Sequence, residues 1–162
     1  MNDEPLTHFD GAGAARMVAI DEKPETPRGA VARSRVRMRR ETLERIKLGQ
    51  VGKGDVLSIA RLAAIGGAKQ TATMIPLCHP VRITAIDVAF ALLDDLPGVE
   101  VRVDVRAIDR TGPEMEAMTA ASTAALTIYD MCKAMDRGMA IEQVVLLEKS
   151  GGKSGTWRRP EP

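Results

Sequence analysis

The segment TIYDMCKAM, residues 127–135, places a carboxylate and an ammonium group three residues apart, at Asp130 and Lys133. On a helix this spacing brings the two side chains together, and an exposed pair of this kind contributes only about 0.2–0.5 kcal/mol. The same pair could transfer protons if it were partly desolvated, because burial and neighbouring charges shift pKa values. The pattern by itself therefore leaves two interpretations open, a solvated ion pair and part of an active site.

Further reactive side chains lie in PLCHP, residues 76–80, where Cys78 and His79 stand between two prolines. Adjacent residues of an extended segment point in opposite directions, which makes a Cys–His nucleophile pair a weak hypothesis. The chain has too few Cys and His residues for a standard zinc site, and no metal site is expected. A structural histidine and a histidine held rigidly in a binding site are equal alternatives.

Two short loops combine glycine with lysine, GKGD at 52–55 and KSGGKSG at 149–155. Glycine lets backbone N–H groups approach an anion closely, and lysine adds a compact positive charge that suits phosphate. Neither loop has the glycine spacing of a Walker A motif. Each loop taken alone is most simply a surface turn, but two of them in one small domain favour a phosphate-bearing ligand.

The basic segment 28–47 is the alternative candidate for a binding surface, because it carries eight Lys and Arg residues against two Glu. A nucleotide-binding or nucleic-acid-binding module could use such a segment. However, only 2% of the residues are aromatic, which argues against stacking on single strands, and the net charge is only +1. A solvated or interface strand, or part of a polyphosphate site, suits the segment better.

Composition narrows the class of protein further. The two cysteines, Cys78 and Cys132, form no disulfide framework, so a reduced, cytoplasmic protein is expected. No apolar run reaches the roughly 18 residues that a membrane span needs. The acidic, glycine-containing N-terminus is not expected to act as a secretory signal. Residues 1–27 show little apolar periodicity and are predicted to form an extended or flexible arm, with residues 28–162 forming a single domain.

Alternating strands and helices are expected to position the candidate residues. Apolar alternation with period two is clearest at 99–109, and the neighbouring strand 81–93 is expected to pair with it as an antiparallel hairpin, with an irregularity near Thr84–Ile86. The order β–α–α–β–β–α–β predicts an α+β fold of the split β-α-β type, with an antiparallel sheet packed on helices. The remaining predicted elements are strands at 30–38 and 141–149 and helices at 39–49, from Asp55 onward, and at 114–137.

The long predicted helix has two unlike faces. Glu116, Asp130 and three threonines share one face, and alanines dominate the other. A face rich in threonine and poor in charge is unlike an ordinary solvated surface, so we expect it to lie against something, such as a second subunit. Glu116 and Asp130 are separated by about 21 Å along the helix. If both belong to active sites, those sites lie between subunits or hold a long ligand.

Six segments occur together in the order and spacing of one family, cyclic pyranopterin monophosphate synthase, which the sequence resembles from about Leu6 to Trp157. They are LTH, KGDV, IPLCHP, EMEAMTAAS, ALTIYDMCKA and EKSGGKSG. The resemblance implies a ferredoxin-like fold with an extra helix, in a homohexamer of three dimers with active sites at the dimer interfaces. It implies a lyase of molybdenum cofactor biosynthesis that converts a cyclised dihydro-GTP into cyclic pyranopterin monophosphate and releases pyrophosphate.

The resemblance also assigns roles to residues. It makes Asp130 the acid/base, with Lys53 and Lys133 as catalytic lysines. It implies no cofactor beyond a divalent metal that could accompany the phosphates, and no nucleic-acid partner. The chain departs from the family pattern at RMVAID, where Ala19 replaces the usual aspartate and Asp21 is the nearby carboxylate. The substrate-binding residues that it implies are Leu77, Cys78, His79, Glu114, Met115, Glu116, Lys149, Lys153 and Arg28.

Overall fold

Alternating valines build the centre of the sheet. Val99, Val101, Val103 and Val105 are fully buried, and the residues between them are less buried. This computed structural model describes residues 11–160, so the LTH segment lies outside the described residues. Within that range the elements in chain order are β1 Thr26–Arg37, α1 Arg40–Lys47, α2 Val56–Lys69, α3 Thr71–Met74, β2 Ile83–Leu93, β3 Gly98–Asp109, α4 Glu114–Cys132, β4 Ala140–Ser150 and β5 Trp157–Arg158.

The strands form one antiparallel sheet in the order β2-β3-β1-β4-β5. In β1 the arginines alternate with buried Ala32, Ser34 and Val36, as the period-two pattern predicts. The pairing of β2 with β3 shifts register between Ile83 and Ala85, which confirms the predicted irregularity. The four longer strands have the neighbour order of a split β-α-β fold, and the ferredoxin-like α+β prediction is confirmed.

The core lies between the sheet and the alanine-rich side of α4. Ala117, Ala121, Ala125 and Ile128 are fully buried. Small side chains let the helix approach the strands closely, and the Ser34 hydroxyl donates a hydrogen bond to the carbonyl of Ala121 across 2.8 Å. This buried bond joins β1 directly to α4.

The predicted start of α2 and the predicted end of α1 are confirmed, because both depend on residues close by in sequence. Asp55 caps α2, because its carboxylate accepts hydrogen bonds from the N–H groups of Leu57 and Ser58, both at 3.1 Å. Gly49, just beyond α1, has a φ of 64° and lies where the helix was expected to stop. The sequence pattern did not reveal the short helix α3 or the two-residue strand β5.

The prediction that the long helix reaches residue 137 is wrong, because α4 ends at Cys132. The chain then turns so that Asp136 is buried against the start of α1. Its carboxylate accepts hydrogen bonds from the N–H groups of Arg39 at 2.8 Å and Gly138 at 3.0 Å. No helix among residues 11–160 is long and apolar enough to cross a membrane.

Candidate active site

Lys53, Asp130 and Lys133 meet at the C-terminal end of α4. The Lys133 ammonium lies 2.6 Å from Asp130 Oδ1, and the Lys53 ammonium lies 3.3 Å from Asp130 Oδ2. Lys53 also donates to the backbone carbonyl of Asp130 across 2.9 Å. Helix geometry supplies the contact with Lys133, whereas Lys53 comes from the GKGD loop, 77 residues away in sequence. The fold therefore brings the three predicted catalytic residues together.

The trio of Lys53, Asp130 and Lys133 consists of a carboxylate held between two ammonium groups. The hydrogen bond from Lys133, followed by that from Lys53, holds the pKa of Asp130 below its ordinary value. Asp130 in turn raises the pKa of Lys133. In one chain the trio is roughly half exposed and Lys133 is paired with an anion, which favours its ammonium form.

A cavity of about 340 Å³ adjoins the trio. Lys53 and Lys133 line it together with Tyr129 and Arg137. The Tyr129 hydroxyl donates to the backbone carbonyl of Arg137 across 3.3 Å, which ties the segment after α4 to the helix. Sequence reasoning missed Tyr129 and Arg137, although Tyr129 is the only tyrosine of the chain and stands beside Asp130.

The second group of predicted residues lies at the opposite end of the same helix. The first turn of α4 carries Glu114, Met115 and Glu116, and the PLCHP loop packs beside this turn. The Cys78 sulfur lies 3.9 Å from Glu116 Oε1. Residues of both segments line a cavity of about 410 Å³, among them Leu77, Cys78, His79, Glu114 and Met115.

Glu116 is a buried carboxyl group. The helical wheel placed it on the polar face, but only 2% of the residue is exposed. Burial raises its pKa to about 7, and the charge of Glu114 also acts in that direction. Its Oε2 atom has no hydrogen-bond partner among the described residues. Burial, and then Glu116, also raise the pKa of the Cys78 thiol, which disfavours Cys78 as a nucleophile.

Several positive side chains surround a third cavity, of about 570 Å³, next to the second. The two cavities share Thr111, Gly112 and Glu114. At its edge the Arg28 guanidinium lies against Gly152, which has a φ of 70° and where an added Cβ would come within 2.2 Å of Arg28 Nη1. The cations that line this cavity are the predicted Lys149, Lys153 and Arg28 together with Lys23 and Arg110, which sequence reasoning missed.

This cation-lined cavity is suited to a polyphosphate, because its cations have few carboxylate partners. Lys149 lies 3.5 Å from Glu114, which is the one ion pair among the described residues that involves these five cations. Arg28 donates to the carbonyl of Asp109, and Arg110 donates to the carbonyl of Asp21. The contact of Asp21 with this lining is therefore made by its backbone carbonyl, through Arg110.

The arginines of β1 lie in a different environment. Arg35 is 2.8 Å from Glu100, and Arg37 is 2.8 Å from Glu142. Arg33 donates to the side chain of Gln143. Carboxylates of neighbouring strands therefore neutralise arginines of β1, which weakens the nucleic-acid interpretation. No group of His, Cys, Asp and Glu residues within 11–160 could hold a metal ion.

Comparison with known proteins shows the family to which the chain belongs. The sequence model of the MoaC family matches residues 17–152. The cyclic pyranopterin monophosphate synthase of Heliobacterium modesticaldum is 54% identical over 158 residues, covering 98% of this chain and 99% of that protein. The enzyme of the same name from Thermomicrobium roseum is 53% identical over 156 residues, covering 96% of this chain and 94% of that protein. The chain therefore belongs to the MoaC family.

Proposed function

We propose that this protein is a cyclic pyranopterin monophosphate synthase, a lyase that acts in molybdenum cofactor biosynthesis. Its substrate is the cyclised dihydro-GTP 3',8-cyclo-7,8-dihydroguanosine 5'-triphosphate, and its products are cyclic pyranopterin monophosphate and pyrophosphate. The observation that carries this proposal is the meeting of Lys53, Asp130 and Lys133 within hydrogen-bond distance, from segments far apart in sequence. The chain is 54% and 53% identical, over nearly its full length, to two enzymes of that name, and this similarity supports the proposal.

The substrate binds along the first turn of α4. The triphosphate occupies the cation-lined cavity, where Arg28, Lys149 and Lys153 neutralise its charge. The phosphates displace Glu114 from Lys149, because they carry more negative charge than one carboxylate. The sugar-derived part lies against Leu77, Cys78, His79 and Met115 in the adjoining cavity, and Glu116 contacts the ring system.

Asp130 and Lys133 enter the reaction in their charged forms, because Lys133 lowers the pKa of Asp130 and Asp130 raises the pKa of Lys133. The Lys133 ammonium donates a proton to the nitrogen that leaves when the purine-derived ring opens. Asp130 accepts a proton from the hydroxyl group that closes the cyclic phosphate, and the P–O bond to pyrophosphate breaks in that step. Lys53 stabilises the negative charge that develops on oxygen.

Each complete active site contains residues of two subunits. Asp130 and Glu116 lie at opposite ends of one helix, about 21 Å apart at 1.5 Å per residue. One subunit supplies the trio, and another supplies Glu116, the PLCHP loop and the cation-lined cavity. A homohexamer of three dimers provides such interfaces. The two free cysteines, Cys78 and Cys132, suit a reducing compartment such as the cytoplasm.

The decisive experiment supplies the cyclised dihydro-GTP and measures pyrophosphate release by Asp130→Asn and Lys53→Ala proteins. Both should lose at least about a hundredfold in turnover, because each removes an acid–base or charge-stabilising group. Lys47→Ala is the matched control, since Lys47 pairs with Glu44 and Asp94 outside the site. Light scattering must show that the variants keep the wild-type oligomeric state.

Wild-type turnover in either variant would contradict the role given to that residue. An inactive wild-type protein would contradict the proposed function itself. Addition of a chelator to the same assay tests whether a divalent metal accompanies the phosphates. A metal-dependent reaction should slow in proportion to the metal removed and recover when Mg²⁺ is restored.

A further inference from the structure

Two charged side chains are buried among residues 11–160, those of Glu116 and Asp136. The roles proposed above place Glu116 at the substrate and leave Asp136 without a function. Asp136 is 4% exposed and is not among the residues that line the cavity of the trio, so it does not meet a substrate there. A buried carboxylate is unfavourable unless hydrogen bonds compensate for the lost water. The contacts of Asp136 within the protein therefore define what it does.

The two carboxylate oxygens of Asp136 bind two different segments. Oδ2 accepts hydrogen bonds from the Arg39 N–H at 2.8 Å and from the Thr42 hydroxyl at 3.3 Å, at the beginning of α1. Oδ1 accepts a hydrogen bond from the Gly138 N–H at 3.0 Å, just before β4. Burial acts to raise the pKa of Asp136, but the hydrogen bonds from the N–H groups outweigh it and keep the pKa below its ordinary value. The fold therefore stabilises the ionised form, which accepts at both oxygens.

α1 depends on this contact because its own first turn provides no equivalent. The N-cap residue, Arg39, makes no capping hydrogen bond with its side chain. In a capping box, a Glu or Gln at the third helical position accepts from the N-cap N–H. That position here is Thr42, whose hydroxyl donates to Asp136, and Asp136 accepts from the Arg39 N–H. A carboxylate from a distant part of the chain therefore completes the start of α1.

α1 in turn positions Lys53 through the loop that follows the helix. The Gln50 N–H donates to the carbonyl of Arg45 across 2.9 Å. The Gly54 N–H donates to the carbonyl of Val51 across 2.9 Å, and Val51 is buried in the core. Because these contacts attach the loop to α1, a displacement of the helix displaces the loop, and Lys53 moves with it.

Asp136 also fixes the turn after α4. Its N–H donates to the carbonyl of Cys132 across 3.1 Å, which closes the turn. Lys133 and Arg137 belong to this turn, and both line the cavity of the trio. The carboxylate of Asp136 therefore joins the element that leads to Lys53 with the turn that contains Lys133.

We propose that Asp136 is a positioning residue for the reaction, which sets the distance between Lys53 and the Asp130–Lys133 pair without touching the substrate. Lys53 lies 3.3 Å from Asp130 Oδ2 although the two residues are 77 positions apart, so local helix geometry cannot impose this distance. A misplacement of about 1 Å can lower a rate by up to about a hundredfold even when it arises away from the reacting atoms. The inference depends on the proposed function for the reaction, but not for the geometry that Asp136 maintains.

Asp136→Asn tests the proposal, because an amide accepts at one atom only and either the Arg39 or the Gly138 N–H then loses its partner. The kcat for pyrophosphate release should fall about tenfold or more, while KM stays unchanged, since the cation-lined cavity lies at the other end of α4. In a Lys53→Ala background the same change should cause no further loss, because a residue that acts through Lys53 then has nothing to position. Two losses that multiply would overturn the proposal.

Two variants separate positioning from a general loss of stability. Val103→Ala removes buried volume from the middle of β3, at a residue that does not line the cavity of the trio, and should lower the midpoint of thermal unfolding but retain wild-type kcat. Thr42→Val removes one hydrogen bond to Asp136 Oδ2 and should lower kcat by a smaller factor than Asp136→Asn. It provides the test if Asp136→Asn does not fold. An unchanged kcat in the Asp136 and Thr42 variants, or an equal loss in Val103→Ala, would overturn the proposal.

Labelling of lysine amines with acetic anhydride tests the same geometry without turnover. Lys53, whose ammonium donates to the carbonyl and the carboxylate of Asp130, should react more slowly than the exposed Lys69. Asp136→Asn should raise the rate at Lys53 and leave Lys69 unchanged. Unchanged labelling of Lys53 would overturn the positioning role. An inactive wild-type protein that shows the expected labelling would instead contradict the proposed function and leave the positioning role standing.

Discussion

Glu116 and Asp130 are carboxyl groups of the same helix whose surroundings shift their pKa values in opposite directions. Burial raises the pKa of Glu116, whereas two ammonium groups lower that of Asp130. A group that is neutral at moderate pH can exchange a proton with a ligand, and one that stays ionised can hold cations in place. Residue type therefore says little about the protonation state here, and the local environment decides it.

The pKa of Glu116 predicts an unusual dependence of stability on pH. The unfolded chain ionises this carboxyl near its ordinary value of 4.5, but the folded chain ionises it only at about 7. The free energy of unfolding should therefore fall as pH rises between these values. The Glu116→Gln protein lacks this loss. Its free energy of unfolding should therefore exceed that of wild type by up to about 3 kcal/mol at pH 8, and the two values should be equal near pH 4.

Urea unfolding at several pH values measures this difference. Glu114, Asp109 and Cys78 are the titratable groups that influence Glu116, and all of them are unchanged in the variant. Glu41→Gln, an exposed position of α1, serves as the control and should show no comparable gain at pH 8. A wild-type stability that is independent of this carboxyl between pH 4 and 8 would refute the prediction.

At the scale of elements, the packing of α2 on α4 explains the threonine-rich face. Gly67 of α2 faces Thr123 so closely that an added Cβ would come within 2.0 Å of the Thr123 hydroxyl oxygen. The expectation that this face lies against another surface is therefore met, at Thr123, by a helix of the same chain. The absence of a side chain at Gly67 sets the distance between the two helices.

Two neighbouring glycines of α2 provide a matched test of this packing. Gly67→Ala should destabilise the protein by roughly 1–3 kcal/mol, because the new methyl group overlaps Thr123 and the helices must separate. Gly66→Ala should stabilise it by up to about 1 kcal/mol, because the position is open and alanine favours helix. Thermal unfolding of both variants gives the comparison, and equal shifts of the same sign would rule out the proposed packing constraint.

At the scale of the whole molecule, α4 holds two groups of candidate site residues apart. The trio adjoins Tyr129 and Arg137, while Glu116 lies with the PLCHP loop at the other end. A rigid helix buried along the sheet cannot bend to bring its ends together. An enzyme that uses both groups at one substrate therefore takes them from two copies of the chain, as proposed above, or binds a ligand long enough to span the helix.

Mixed oligomers test this arrangement. Asp130→Asn protein is refolded together with the Lys149→Ala/Lys153→Ala double variant. The mixture should regain up to about a quarter of wild-type activity, because random assembly combines an intact trio from one chain with an intact cation-lined cavity from the other at about that share of the sites. Asp130→Asn mixed with Lys53→Ala should regain none, because both changes damage the same half. Pyrophosphate release measures both mixtures, and equal recovery in the two would contradict sites shared between subunits.

The amino-acid sequence by itself determined the features that depend on near neighbours along the chain. Alternation of valines with polar residues defined β3, and the Asp55 carboxylate marked the start of α2. The spacing of Asp130 and Lys133 determined that they would meet on a helix. The motifs that resemble one family also indicated the candidate site residues, since those motifs are contiguous in the chain.

Only the tertiary structure decided what lies around each residue. A helical wheel could not show that neighbouring segments bury Glu116, or that Lys53 reaches Asp130 from 77 residues away. Beyond the end of α4, Asp136 accepts a hydrogen bond from the Arg39 N–H group, and this contact exists only once α1 is docked. Burial, cavities and the pairing of distant charges arise from packing, so they are properties of the folded chain rather than of any single segment.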